Sequence, residues 1–162
     1  MDTVTHALIP VIFVGLVAKR AEWLGRWGLV GIGIAGALPD LLSPHLSLEA
    51  RMTSWSHGIP CWLAISTILI LGAVLGRRRF SLRLAMCFSG AYLLHIMCDA
   101  VSGGVNFLYP FGDWIWGDYW VDPSWWVPLD VICLLLAYLL FRILPGLKTQ
   151  REAEQSGASD NQ

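Results

Sequence analysis

Apolar stretches long enough to form membrane helices alternate with short polar segments along the chain. The clearest stretch, residues 59–76, holds no charged residue, and residues 84–100 and 127–144 are almost as apolar. Residues 3–18 and 24–38 are shorter and flank a charged elbow, so they form either two short spans or one re-entrant hairpin. Because roughly 20 apolar residues cross a bilayer as a helix, the pattern predicts an all-α, polytopic integral membrane bundle of about five transmembrane helices.

The distribution of basic residues favours two spans over a hairpin in the N-terminal third. With five spans, every Lys and Arg except Arg51 falls on one side of the membrane. Basic residues mark the cytoplasmic side of membrane proteins. We therefore expect the N-terminus outside, the C-terminus in the cytoplasm, and a multi-pass protein of the bacterial inner membrane.

Composition agrees with a membrane protein and excludes several other classes. The 162 residues are 56% hydrophobic and 14% charged, whereas soluble domains carry about 25% charged residues. Too few polar side chains are present for a globular surface, a disordered chain or a basic protein that binds nucleic acid. We expect membrane lipid as a partner and no nucleic acid. Residues 1–146 are predicted to form the bundle, and residues 147–162 a disordered polar cytoplasmic tail.

The acidic and histidine residues gather at the predicted outer end of the bundle. All four histidines lie there, together with every aspartate except Asp160. Two Asp/His pairs, Asp2 with His6 and His95 with Asp99, have the i, i+4 spacing that places side chains on one helix face. Such groups are costly inside a membrane unless they are paired or bind a metal. Imidazole with carboxylate suits zinc, and also manganese or iron.

Each of these residues also has a plainer interpretation. Asp40 could simply end a helix and start a turn, and His57 could be an interfacial bystander after a serine cap. Asp122 precedes a proline and could be a turn former, while Asp130 could be a helix N-terminal charge favoured by the helix dipole. The G-x-G-x-x-G pattern at residues 31–36 follows no strand, so it indicates close helix packing instead of nucleotide binding.

A series of short motifs resembles one family over most of residues 1–145. The motifs occur in order as Thr5-His6-Ala7, Leu38-Pro39-Asp40, Trp55-Ser56-His57 and Leu94-His95-x-x-x-Asp99. Together they resemble the bacterial inner-membrane metal-dependent hydrolase family, the YdjM-like proteins. The resemblance implies a metal site formed by His6, Asp40, His57, His95 and Asp99, with Asp2 and Asp122 as further candidates.

Two positions depart from the pattern of that family. Its second acid in P-D-x-D corresponds to Leu42 here, and its H-R-G triplet corresponds to Met52-Thr53-Ser54, with Arg51 nearby but out of register. These departures argue against a two-metal site.

The resemblance implies a metal-dependent hydrolase. A bound ion lowers the pKa of water towards 7 and polarises an ester or phosphoester oxygen, with Asp40 and Asp99 as candidate catalytic carboxylates. A site at the outer membrane face favours a lipid or envelope-derived substrate. The alternative is a non-enzymatic membrane protein, either a metal or proton transporter or a structural subunit. A transporter would place ionisable residues near the midplane and on both sides of it.

Overall fold

The computed structural model describes residues 3–17, 24–44, 47–76 and 81–159, and these residues are mostly helical. The first four helices are α1 (Thr3–Val17), α2 (Gly25–Leu42), α3 (Leu48–Met52) and α4 (Ile59–Leu75). They are followed by α5 (Leu82–Val101), α6 (Trp126–Tyr138) and α7 (Leu144–Ser159). The prediction of an all-α protein is confirmed.

Helix α2 lies between α1 and α5 and makes the most extensive packing in the protein with both. Small residues allow this close approach. A Cβ added at Gly36 would collide with the backbone carbonyl of His6 and come within 2.8 Å of the Pro10 side chain. The structure therefore agrees with the helix-packing interpretation of the glycine pattern at residues 31–36, because small residues let membrane helices touch.

The segment between α5 and α6 folds back over the C-terminal end of α5. It contains a two-stranded antiparallel ribbon, β1 (Val105–Asn106) with β2 (Ile115–Trp116). Val105 and Phe107 are buried against Tyr92, Ile96 and Ala100 of α5. The later part of this segment is different, because it exposes three tryptophans, Trp114, Trp116 and Trp120. One part of this loop thus completes the core and the other presents aromatic side chains outwards.

The last part of the chain forms one long helix that packs little against the rest. A short turn, Pro123–Trp125, leads into α6, a π-helical turn spans Leu139–Ile143, and α7 continues to Ser159. The prediction of a disordered tail from residue 147 therefore differs from the structure, which is helical up to residue 159. Lys, Gln, Arg, Glu and Ala dominate this segment and are strong helix formers even without packing. The division of the chain at residue 146 stays a prediction.

Two helices among the described residues are long and apolar enough to cross a membrane. They are α5 (Leu82–Val101) and the continuous helix Pro123–Arg151, which we call the C-terminal helix. Helices α1 and α4 are apolar but have only 15 and 17 residues. The five-span arrangement and its orientation are therefore not confirmed by the helix lengths.

Candidate metal centre

Five of the predicted site residues meet at the end of the bundle where α1 begins and α2 and α5 end. His6 comes from α1, Asp40 from α2, His57 from the short 3-10 turn Trp55–His57, and His95 and Asp99 from α5. Four of them are almost fully buried, and only Asp40, with 15% of its side chain exposed, is partly open to the surroundings. The plainer interpretations of Asp40 and His57 as a turn former and a bystander therefore do not describe their positions fully.

Four of these side chains present ligand atoms to a common point. The Nε2 atom of His57 lies 3.2 Å from Asp40 Oδ1 and 3.5 Å from Asp99 Oδ2. The Nε2 atom of His95 lies 3.5 Å from Asp40 Oδ1 and 3.2 Å from Asp99 Oδ2. Atoms that share one ion at about 2.1 Å lie about 3.0–3.4 Å apart. Asp40, His57, His95 and Asp99, whose ligand atoms all lie within 4.8 Å of one another, could hold one metal ion.

The hydrogen bonding of His95 determines which of its ring nitrogens is free to bind a cation. Its Nδ1 lies 2.7 Å from the carbonyl oxygen of Gly36, which can only accept, so Nδ1 carries a hydrogen and donates it. In the neutral ring, Nε2 then holds a lone pair that points towards two carboxylate oxygens. Lone pairs facing one another repel, so this arrangement requires a metal ion or a proton between them.

His57 is held in a similar way by two serines. Its Nδ1 lies 2.9 Å from Ser54 Oγ and 3.1 Å from Ser56 Oγ. Ser56 Oγ donates its own hydrogen to the carbonyl of Pro39, so it can only accept from the ring. This fits a ring with hydrogen on Nδ1 and Nε2 turned to the carboxylates. Burial also lowers the pKa of His57 below its ordinary value, which favours the neutral form that metals require.

His6 belongs to the cluster but lies outside the group of four. Its Nδ1 is 3.6 Å from Asp40 Oδ2 and its Nε2 is 3.4 Å from Asp99 Oδ1, the carboxylate oxygens that the other two histidines do not face. Both distances exceed ordinary hydrogen bonds. Its ring packs against that of His95 with centroids 3.9 Å apart. The role of His6 as a ligand stays a prediction.

Arg51 is a member of the site that sequence reasoning missed. It is 2% exposed, and its Nη1 donates to Asp99 Oδ1 at 2.7 Å while its Nη2 donates to the carbonyl of Ser102 at 3.3 Å. One guanidinium against two carboxylates leaves a net negative charge in a buried place when the histidines are neutral. A cation is therefore the ligand that this site favours electrostatically.

Two further contacts fix the N-terminal end of α1, which carries His6. The carboxylate of Asp130 in α6 accepts a hydrogen bond of 3.0 Å from the backbone NH of Thr5, and a second from the Thr5 hydroxyl. The hydroxyl of Thr3 donates to Asp40 Oδ2 at 2.7 Å. Asp130 thus does more than place a charge at the start of its own helix, because it satisfies an NH that the first turn of α1 leaves without a partner.

The remaining candidates among the described residues are not brought into the cluster. Asp122 is exposed and accepts a hydrogen bond of 2.8 Å from the backbone NH of Ser124, which corresponds to its interpretation as a turn former. Asp113 accepts a hydrogen bond from Asn106 in the ribbon. Asp2 and His45 lie outside the described residues.

A helical membrane protein with a buried His/Asp centre at one end is the class that the fold and site define. The chain belongs to the YdjM inner membrane protein family, whose model matches residues 1–157. This confirms the resemblance inferred from the motifs and, with the two apolar helices, the inner-membrane location. No curated protein and no solved structure matches the chain.

Proposed function

We propose that the protein is a membrane-bound metal-dependent hydrolase that binds one divalent ion through Asp40, His57, His95 and Asp99. Zinc suits two imidazoles and two carboxylates best, and manganese or iron are the alternatives. His6 packs against this set and is the candidate for a further ligand. We also propose that the bundle spans the membrane five times, with the site at the outer face.

The orientation of His95 carries this proposal. Its Nδ1 hydrogen is donated to the carbonyl of Gly36, so in the neutral ring Nε2 carries a lone pair. This lone pair needs a cation, either a metal ion or a proton, when it faces carboxylate oxygens. Here it faces the oxygens of Asp40 and Asp99, and a cation between these atoms removes the repulsion.

The chain's own residues can then serve hydrolysis of an ester or phosphoester. A bound divalent ion would lower the pKa of water and act as a Lewis acid towards the reacting oxygen. Asp40 is the most accessible carboxylate of the centre and is the candidate general base, which would take a proton from water in place of binding the ion and would leave a position for that water open. The water oxygen bonds to carbon or phosphorus, the C–O or P–O bond to the leaving group breaks, and the leaving oxygen takes up a proton. Arg51 holds Asp99 in place, and the buried surroundings exclude other water.

Elemental analysis of protein purified in detergent tests the metal site. We expect close to one zinc, manganese or iron per chain in the wild type. His95→Ala and Asp99→Ala should each lose it, while circular dichroism shows that the helices persist. Asp122→Ala removes a carboxylate that lies outside the cluster and should keep the metal, which makes it the matched control.

Activity is measured on the same samples with phosphoester and carboxylester lipids. Hydrolysis that needs the metal, and that disappears in Asp40→Asn while this variant keeps its metal, would support the role of Asp40 as general base. Absence of metal from the wild type after reconstitution with each ion would sink the hydrolase mechanism. The cluster would then be a polar network or a proton site, as expected for a structural subunit or a proton transporter.

A further inference from the structure

An apolar groove runs along the surface between α1 and α5, and its lining begins next to the His/Asp centre in the sequence of both helices. Its volume is about 410 Å³, within the range of small-molecule sites. Helix α1 contributes Pro10, Phe13 and Val14, and α5 contributes a facing row that includes Met86, Gly90 and Leu94. Almost all of the lining is hydrocarbon.

One end of the groove lies close to the centre along both helices. Pro10 lies one helical turn below His6, and Leu94 directly precedes His95. From Leu94 the groove extends along α5 to Met86, eight residues away, which is about 12 Å of helix axis. A molecule that fills it therefore has one end within about one helical turn of the cluster residues His6 and His95, and the other end well inside the apolar part of α5.

The surroundings of the groove indicate what fills it. It lies along α5, one of the two helices that can cross the membrane, so its neighbours are lipid chains. Phe13 and Met86 at its rim are more than half exposed, so the groove opens sideways towards those chains. A Cβ added at Gly90 would meet no atom within 4 Å, so no residue that the structure describes closes the groove at mid-length.

We propose that this groove binds one acyl chain of a glycerophospholipid and thereby holds the ester or phosphoester linkage of that lipid at the His/Asp centre. Binding of the acyl chain is argued from the groove alone, whereas the position of the ester or phosphoester linkage rests on the proposed hydrolase function. The proposal explains how a substrate embedded in the bilayer is aligned with a centre that is almost completely buried.

A bulky side chain inside the groove tests the proposal. Gly90→Phe places a ring in the open space, and Gly72→Phe makes the same change in α4, where a Cβ also meets no atom within 4 Å. Wild type and both variants are reconstituted into vesicles with a phosphatidylethanolamine that carries a photoreactive diazirine on one acyl chain. After irradiation, the labelled peptides are mapped by mass spectrometry.

We expect wild-type label concentrated on α1 and α5 around Phe13, Met86 and Leu94. The label there should fall about tenfold in Gly90→Phe and stay unchanged in Gly72→Phe. Equal labelling of α4 and the C-terminal helix would overturn the proposal. So would a change in oligomeric state on Gly90→Phe, because the groove would then be occupied by a second copy of the chain.

Metal content separates this proposal from the proposed function. Gly90 does not touch the centre, so Gly90→Phe should keep the metal while it loses the groove label. If the wild type binds no metal but the lipid labels the groove, the hydrolase function is wrong and acyl-chain binding is supported. If metal is bound and the label is spread evenly, acyl-chain binding is wrong and the metal site is supported.

Discussion

The two helices that can cross a membrane differ sharply in how much of each is buried inside the protein. In α5, 44% of the 18-residue apolar core is buried inside the protein, whereas in the C-terminal helix only 6% is buried. The C-terminal helix is nevertheless the more apolar of the two. Helix α5 carries Ser89, His95 and Asp99 on its buried face, while the C-terminal helix exposes side chains such as Leu134 and Leu135.

This comparison shows that apolar character does not indicate the core in a membrane protein. Lipid tails are as apolar as leucine, so a helix gains little by hiding leucine from them. Polar groups gain much more from burial, because the hydrocarbon offers them no partner. The centre of this protein is therefore marked by polar and small residues, and its periphery by the longest apolar run.

Removal of the buried arginine should have the largest effect of the matched changes. Arg51→Met leaves Asp99 without its hydrogen-bonded countercharge, so we expect a loss of about 3–5 kcal/mol in the free energy of unfolding. Arg142→Met changes an exposed arginine of the C-terminal helix and should cost less than about 0.5 kcal/mol. Unfolding in mixed micelles with increasing sodium dodecyl sulfate measures both. Equal effects would mean that the buried ion pair contributes nothing.

A methyl group at the tightest helix contact should have an intermediate effect. Gly36→Ala forces α2 away from the backbone of α1, which typically costs about 1–3 kcal/mol. It also displaces the carbonyl that orients His95, so the metal content should fall as well. Gly146→Ala, where a Cβ meets no atom, should stabilise the C-terminal helix by up to about 1 kcal/mol. A neutral Gly36→Ala would show that α1 and α2 are not in close contact.

The smallest effect is expected from a single hydroxyl. Tyr92 is 1% exposed and donates a hydrogen bond of 2.5 Å to the carbonyl of Ser56, next to His57. Tyr92→Phe should cost about 1–2 kcal/mol, because that buried carbonyl loses its donor. Tyr138→Phe removes an exposed hydroxyl of the C-terminal helix and should be neutral within about 0.5 kcal/mol. The same unfolding assay compares them, and a larger loss in Tyr138→Phe would contradict the contrast between the two helices.

Much of the centre could be predicted because membrane burial makes ionisable residues informative. His95 and Asp99 stand one helical turn apart inside an apolar span, where a polar group needs a partner. Asp40, His57 and His6 lie at corresponding helix ends and complete the cluster. Arg51 was missed as a member, although it was the one basic residue on the predicted outer side. That exception to the charge pattern was the available signal.

Other features depend on contacts between distant parts of the chain and left no pattern in the sequence. The carbonyl of Gly36 orients His95, and the hydroxyls of Ser54 and Ser56 orient His57. Since every residue has a carbonyl, the sequence does not show which one a histidine will contact. Helical periodicity also does not show that Asp130 accepts hydrogen bonds from the start of α1. The number of spans also stays a prediction, since α1 and α4 are shorter than the usual spanning length.

The hydrogen bonds between Asp130 and Thr5 have a consequence for the biosynthesis of the protein. The ribosome makes the helix that carries His6 more than a hundred residues before the carboxylate that secures the start of this helix. The anchor of α1 is thus in place only after α6 has been made. A nascent chain that stops before this helix carries every metal-ligand candidate but lacks the carboxylate that anchors α1.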